Sequence, residues 1–111
     1  MRSDADYLAF IAESIQLIAA YTAPGREHFL SDVANQDQVL RRLEVLADAT
    51  GQLSEELRSA HPEIDWPAIT GFRNRVAHGY LDVNLNLVWQ AVEMLPELQQ
   101  VIDAELGGSR Q

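Results

Sequence analysis

The sequence predicts an all-α fold, a four-to-five-helix up-down bundle with no sheet. Three observations predict it. Apolar residues recur at spacings of three and four along four segments of the chain. No segment alternates apolar and polar residues over a useful strand length. Pro24-Gly25 and His61-Pro62 punctuate the periodic runs, and short connections between them suit antiparallel neighbours. The first helix is expected over about residues 4–21, where Tyr7, Ile11, Ile15 and Ile18 form one stripe beside Leu8, Ala12 and Ala19. A turn or two of helix is expected around Phe29 and Leu30. The second main helix is expected over about residues 36–60, with Leu43, Leu46, Thr50, Leu53 and Leu57 in its stripe, Leu40 and Ala47 widening it, and Gly51 inside it. A short third helix starts after Asp65, a suitable cap, with Pro67 in its first turn. Its core positions are Ile69, Phe72 and Val76, and Gly79 is its expected stop. The fourth starts near Asn84 and presents Leu85, Val88, Val92, Leu95, Ile102 and Leu106, with Pro96 expected to kink or split it. One domain over residues 1–106 and a frayed tail over 107–111 are the expected organisation.

Composition narrows the function. The 111 residues carry 8 basic and 17 acidic side chains, for a net charge of −9. Every basic residue is arginine. A bulk basic patch for non-specific nucleic-acid binding is therefore absent, and any phosphate contact must come from a few placed arginines. With no cysteine, thiol catalysis, disulfides and Cys-ligated zinc are excluded. No run approaches the ~20 apolar residues that span a bilayer. Residues 1–4 lack a signal peptide's apolar stretch. The expectation is a soluble, cytoplasmic protein with no membrane partner.

One segment concentrates chemistry. Residues 71–80 hold Arg73, Asn74, Arg75, His78 and Tyr80. Asn74 and His78 are four apart and share a helix face, so the amide can orient the imidazole. Arg75 is three from His78. Arg73 is five away, which on an ideal helix places it about 140° around the axis. The two converge if the helix end unwinds at Gly79, or if a second copy contributes across a two-fold cleft. An imidazole can move a proton, and a guanidinium can stabilise charge developing on phosphate. That pairing suits RNA cleavage without a metal or cofactor, in which the 2′-hydroxyl attacks the adjacent phosphorus and leaves a cyclic phosphate. Eight Arg and three His give about 0.2 chance Arg-x4-His pairs in this length, and requiring Tyr two residues later lowers that to about 0.006.

Each residue also has a structural reading. His78 can serve only as a cation at a helix C-terminus, and Arg73 as a surface ion-pair partner. Asn74 can be an ordinary polar helix residue, Arg75 a solvated charge and Tyr80 a half-buried phenol. Asp48 reads as a solvated face residue, as does the Glu55-Glu56 pair. His28 and His61 lack ligand spacing and read as surface or turn residues. Trp66 and Trp89 read as core or interface anchors rather than base-stacking platforms.

At these residues the sequence resembles the HEPN superfamily of small helical proteins, and within it the HepT toxins of HepT–MntA toxin–antitoxin pairs. That family's Arg-x4-His-x-Tyr signature is matched by Arg73, His78 and Tyr80. Flanking residues fit as well: residues 61–66, Gly71 to Asn74, Val88-Trp89, and Leu95-Pro96-Glu97-Leu98. The resemblance implies a HEPN-like bundle that forms a homodimer. It implies a metal-independent endoribonuclease site at the dimer cleft, with Arg73 and His78 catalytic and Asn74 beside them. The RNA substrate would be transfer or messenger RNA, not DNA. It further implies a MntA-type nucleotidyltransferase antitoxin, which would transfer AMP from ATP to Tyr80 and place negative charge where RNA phosphate must sit. One position departs from the pattern. Where relatives often carry Gly-Glu-Ala in the second helix, this chain has Ala47-Asp48-Ala49, one methylene shorter at the carboxylate. A competing reading is a non-catalytic HEPN dimer that serves as the binding partner of a nucleotidyltransferase. A purely structural helical dimer is the third.

Overall fold

Side chains that can accept a backbone N–H stand at most of the helix starts, and they set where the chain turns. The computed structural model describes residues 2–76 and 83–108. Helix α1 (Asp4–Thr22) begins at Ser3, whose hydroxyl accepts from the Asp6 N–H while the Asp6 carboxylate accepts from the Ser3 N–H. Helix α2 (Arg26–Ser31) follows Gly25, where φ is 102°, a conformation that favours glycine. Asp32 caps α3 (Val33–Gly51) by accepting from the Asn35 N–H at 3.0 Å. Ser54 caps α4 (Glu55–Ser59), and Asp65 caps α5 (Trp66–Thr70) with Pro67 in its first turn. Helix α6 (Phe72–Val76) comes directly after Gly71. Helix α7 (Leu85–Gly108) starts behind Asn84, whose Oδ1 accepts from the N–H groups of Asn86 and Leu87.

The three long helices make the core. α1 lies along α3 and also packs on α7, while α5 and α6 close against α3 and α6 against α7. Leu8, Ile11, Ile15 and Ile18 of α1 are buried, with Tyr7 half-buried beside them. Leu43, Leu46, Thr50, Leu53 and Leu57 are buried, as their spacing predicts, and so are Phe72, Val88, Leu95 and Ile102. Full burial of each such aliphatic side chain contributes about 1.5–3 kcal/mol. The architecture is the predicted all-α bundle, with no sheet among the described residues.

The elements differ from expectation in four places. The helix expected over 36–60 starts earlier, at Val33, and is two, α3 and α4, separated at Gln52 to Ser54. The new N-cap at Ser54 is reinforced from a distance: the Asp4 carboxylate accepts from the Ser54 N–H at 2.9 Å and from its hydroxyl at 2.7 Å. The expected third helix is also two, α5 and α6, broken at Gly71. Pro96 sits inside one continuous helix rather than splitting it. Leu95, Leu98, Val101 and Ile102 are buried on both sides of the proline, and their packing outweighs the lost backbone hydrogen bond. Helix α7 also continues past Leu106 to Gly108.

Candidate functional site

The arginine of the motif is presented by a buried neighbour. Phe72 is only 6% exposed and anchors α6 in the core, so the next residues, Arg73 and Asn74, emerge exposed. The junction before them is tight. A Cβ on Gly71 would stand 3.0 Å from the Pro67 carbonyl oxygen, so a side chain there meets tight space rather than an unusual torsion. The Gly71 carbonyl accepts from the Asn74 N–H at 3.1 Å and starts α6. Upstream, Trp66 is buried and its Nε1–H donates to the carbonyls of Arg58 and His61, both at 3.0 Å. The expectation of an anchor thus holds for Trp66. Trp89 is half-buried and its ring lies 5.4 Å from that of Phe29.

An apolar groove of about 210 Å³ borders this segment. Leu43, Leu46 and Ala47 of α3, Ile69 and Phe72, and Met94 of α7 are among its walls. Arg73 has no carboxylate within ion-pairing distance among the described residues, although the chain holds 17 acidic side chains. Asp48 is exposed and lines a different cleft, between α1 and α3, with Arg2, Asp6, Phe10 and Glu13. The structure therefore brings Ala47, not Asp48, to the groove beside α6. The side chain of Arg75, and His78 and Tyr80 entirely, lie outside the described residues, as does Gly79.

Two further long-range polar contacts, besides that of Asp4 with Ser54, were not foreseen from spacing. Arg26 Nη2–H donates to Asn86 Oδ1 at 2.9 Å and joins α2 to α7. His61 is not a plain turn residue. Its Nε2 and Glu105 Oε2 form a short hydrogen bond, and Nδ1 stands 3.6 Å from Glu63 Oε2. The Glu105 hydrogen bond raises the His61 pKa above its ordinary value against the opposing effect of burial, and the charges of Glu105 and Glu63 add to it. His28 is a surface residue, 3.3 Å from Asp32. No local pattern announces a pair separated by 60 or 44 residues. The break at Ser54 did carry a signal: a capping residue followed by Glu55-Glu56 in a first turn. Among the described residues no group of three His, Asp or Glu side chains converges as a metal site, and no described helix is long and apolar enough to cross a membrane.

Comparison with known proteins places the chain. The family model described as "Ribonuclease HepT-like" matches residues 11–105. The "Probable ribonuclease HepT" of Thermococcus cleftensis is 36% identical over 100 residues, covering 88% of this chain and 91% of that protein. A protein of Caldanaerobacter subterraneus named "Putative RNase" is 28% identical over 104 residues, 92% of this chain and 93% of the other. The "Gamma-glutamylcyclotransferase and putative RNase" of Methanocaldococcus jannaschii is 35% identical over 105 residues, and this chain spans 47% of its length. No solved structure matches. With the helical bundle, the match over residues 11–105 makes this chain a member of the ribonuclease HepT-like family.

Proposed function

We propose that this protein is a ribonuclease toxin of the HepT kind, working in the cytoplasm as a homodimer of single-domain chains. The observation that carries the reading is the family match spanning the Arg73-x4-His78-x-Tyr80 motif, with Arg73 exposed and without an ion-pair partner among the described residues. His78 removes the proton of a ribose 2′-hydroxyl. The O2′–P bond forms, the P–O5′ bond breaks, and the proton taken up by the imidazole passes to the departing 5′-oxygen. The products are a 2′,3′-cyclic phosphate and a 5′-hydroxyl. Arg73 holds the non-bridging oxygens as negative charge grows on them, with no metal ion needed for the step. DNA lacks the nucleophile and is not a substrate. Residues five apart diverge by about 140° on a helix, which favours a site assembled from two copies. Asn74 orients the imidazole, and Arg75 adds a phosphate contact. Asp48, placed on the α1 side, acts at most through the dimer partner. AMP transfer to Tyr80 by a MntA-type nucleotidyltransferase would fill the phosphate position with negative charge and silence the enzyme.

A second reading, a non-catalytic dimeric partner of such a nucleotidyltransferase, is favoured by the position of Asp48 outside the groove at α6. RNA cleavage by wild type and His78→Ala, matched for helix content, separates the two. Loss of cleavage in the variant is expected. Equal cleavage by both proteins contradicts the enzyme reading as stated, and no cleavage by unmodified wild type favours the partner.

A further inference from the structure

One arginine is tied to the start of α7, where the chain re-enters the bundle after the motif. Arg26 opens α2, and its Nη2–H donates to Asn86 Oδ1 at 2.9 Å. Asn86 belongs to the first turn of α7, only six positions after Tyr80. This acceptor is a neutral amide, so the guanidinium keeps its whole charge. Among the described residues no carboxylate lies within ion-pairing distance of it. A guanidinium has five N–H donors, and the bond to Asn86 occupies one.

The support under Arg26 is rigid. Phe29, three residues on, is fully buried and its ring packs on Trp89 of α7. Gln36 Nε2–H donates to the carbonyls of Phe29 and Leu30, at 2.9 and 3.2 Å, and pins the far end of α2. Gly25 sets the entry angle with its φ of 102°. The side chain is thus held at one end by its own short helix and at the other by α7. The hydrogen bond gives this exposed guanidinium one preferred position from which to meet a ligand.

We infer that Arg26 is a phosphate-binding residue of the RNA site, holding the substrate backbone away from the scissile bond. The inference rests on the ribonuclease reading. A prepositioned guanidinium with unused donors suits a phosphodiester oxygen pair. It also offsets locally the repulsion that a chain of net charge −9 exerts on RNA. The alternative is a strut that only ties α2 to α7.

The test measures RNA binding in the His78→Ala background, where substrate is not consumed, and cleavage in the wild-type background. Arg26→Gln should weaken binding about fivefold and lower the slope of log affinity against log salt by about 0.7, the share of one phosphate on a single strand. It should raise KM with little change in kcat. Arg26→Lys should recover the slope. Asn86→Ala removes the tie but not the charge and should leave the slope unaltered. An unchanged slope in Arg26→Gln, with both Arg26→Gln and Asn86→Ala melting lower, would make Arg26 a strut and overturn the inference. Wild type that neither binds nor cleaves RNA would overturn the ribonuclease reading itself, and Arg26 with it.

Discussion

Arg73 and Asn74 owe their exposure to Phe72, and their chemistry to having no charged partner among the described residues. Removing Arg73 therefore leaves the core untouched. Arg73→Ala should change stability by less than about 0.5 kcal/mol, as surface substitutions do, while lowering kcat by about 10²–10³, the loss seen when one stabiliser of developing charge is removed. Arg73→Lys keeps the charge and loses the two-pronged fork, so its rate should fall between the two. Single-turnover cleavage with a parallel thermal melt checks both. His61 gives a prediction of different sign. Its side chain is only 17% exposed, so solvent screens the Glu105 contact incompletely. Its folded pKa is raised above the unfolded value of about 6.5. The stability it contributes is complete below that value and is lost as pH rises through the raised folded pKa. His61→Gln should flatten the dependence of Tm on pH above about 6. A curve identical to wild type would remove His61 from the account. The motif itself was legible as residue types at fixed spacing. The pairs Arg26–Asn86 and His61–Glu105 were not, because each joins helices whose approach is decided by packing elsewhere.

At the scale of elements, the apolar stripes were legible because helical period is a local property. The breaks were hidden for the same reason. Leu53 and Leu57 carry the α3 stripe on into α4, and Ile69 and Phe72 keep their spacing of three across Gly71, so periodicity runs through both interruptions. Pro96, expected to kink or split α7, does not split it, since tertiary burial holds the helix through a local breaker. The break at Ser54 depends on polar contacts that can be removed singly. Ser54→Ala loses the cap of α4 and the hydroxyl bond to Asp4, and should cost about 1–2 kcal/mol in urea unfolding. Gly71→Ala brings a Cβ against the Pro67 carbonyl, a backbone atom that must give by a few tenths of an ångström at the α5–α6 junction. Cleavage should fall more steeply than stability in this variant, because the shift acts on the helix that carries Arg73. Equal losses, or none, would show that the junction does not position the site.

The whole molecule is an acidic bundle of 44 × 27 × 27 Å whose three long helices build the core and leave α6 at its margin. Arg73 is exposed on that short helix. Light scattering should report a dimer, and a monomer would contradict a shared cleft. A net charge of −9 leaves RNA held by a few arginines, so affinity should fall with salt less steeply than for a basic ribonuclease. The overall fold was readable from the sequence because three long amphipathic helices admit few packings. The relation of Asp48 to α6 was not, since it depends on which face of α3 each neighbour takes. The account turns on a metal-free transesterification, and the chemistry of the cut ends tests that most directly. End-labelled RNA is cleaved by unmodified wild-type protein in EDTA, and the fragment termini are identified. The account predicts 2′,3′-cyclic phosphates opposite 5′-hydroxyls. Fragments with 3′-hydroxyl and 5′-phosphate ends, or cleavage that appears only when a divalent cation is restored, would contradict it.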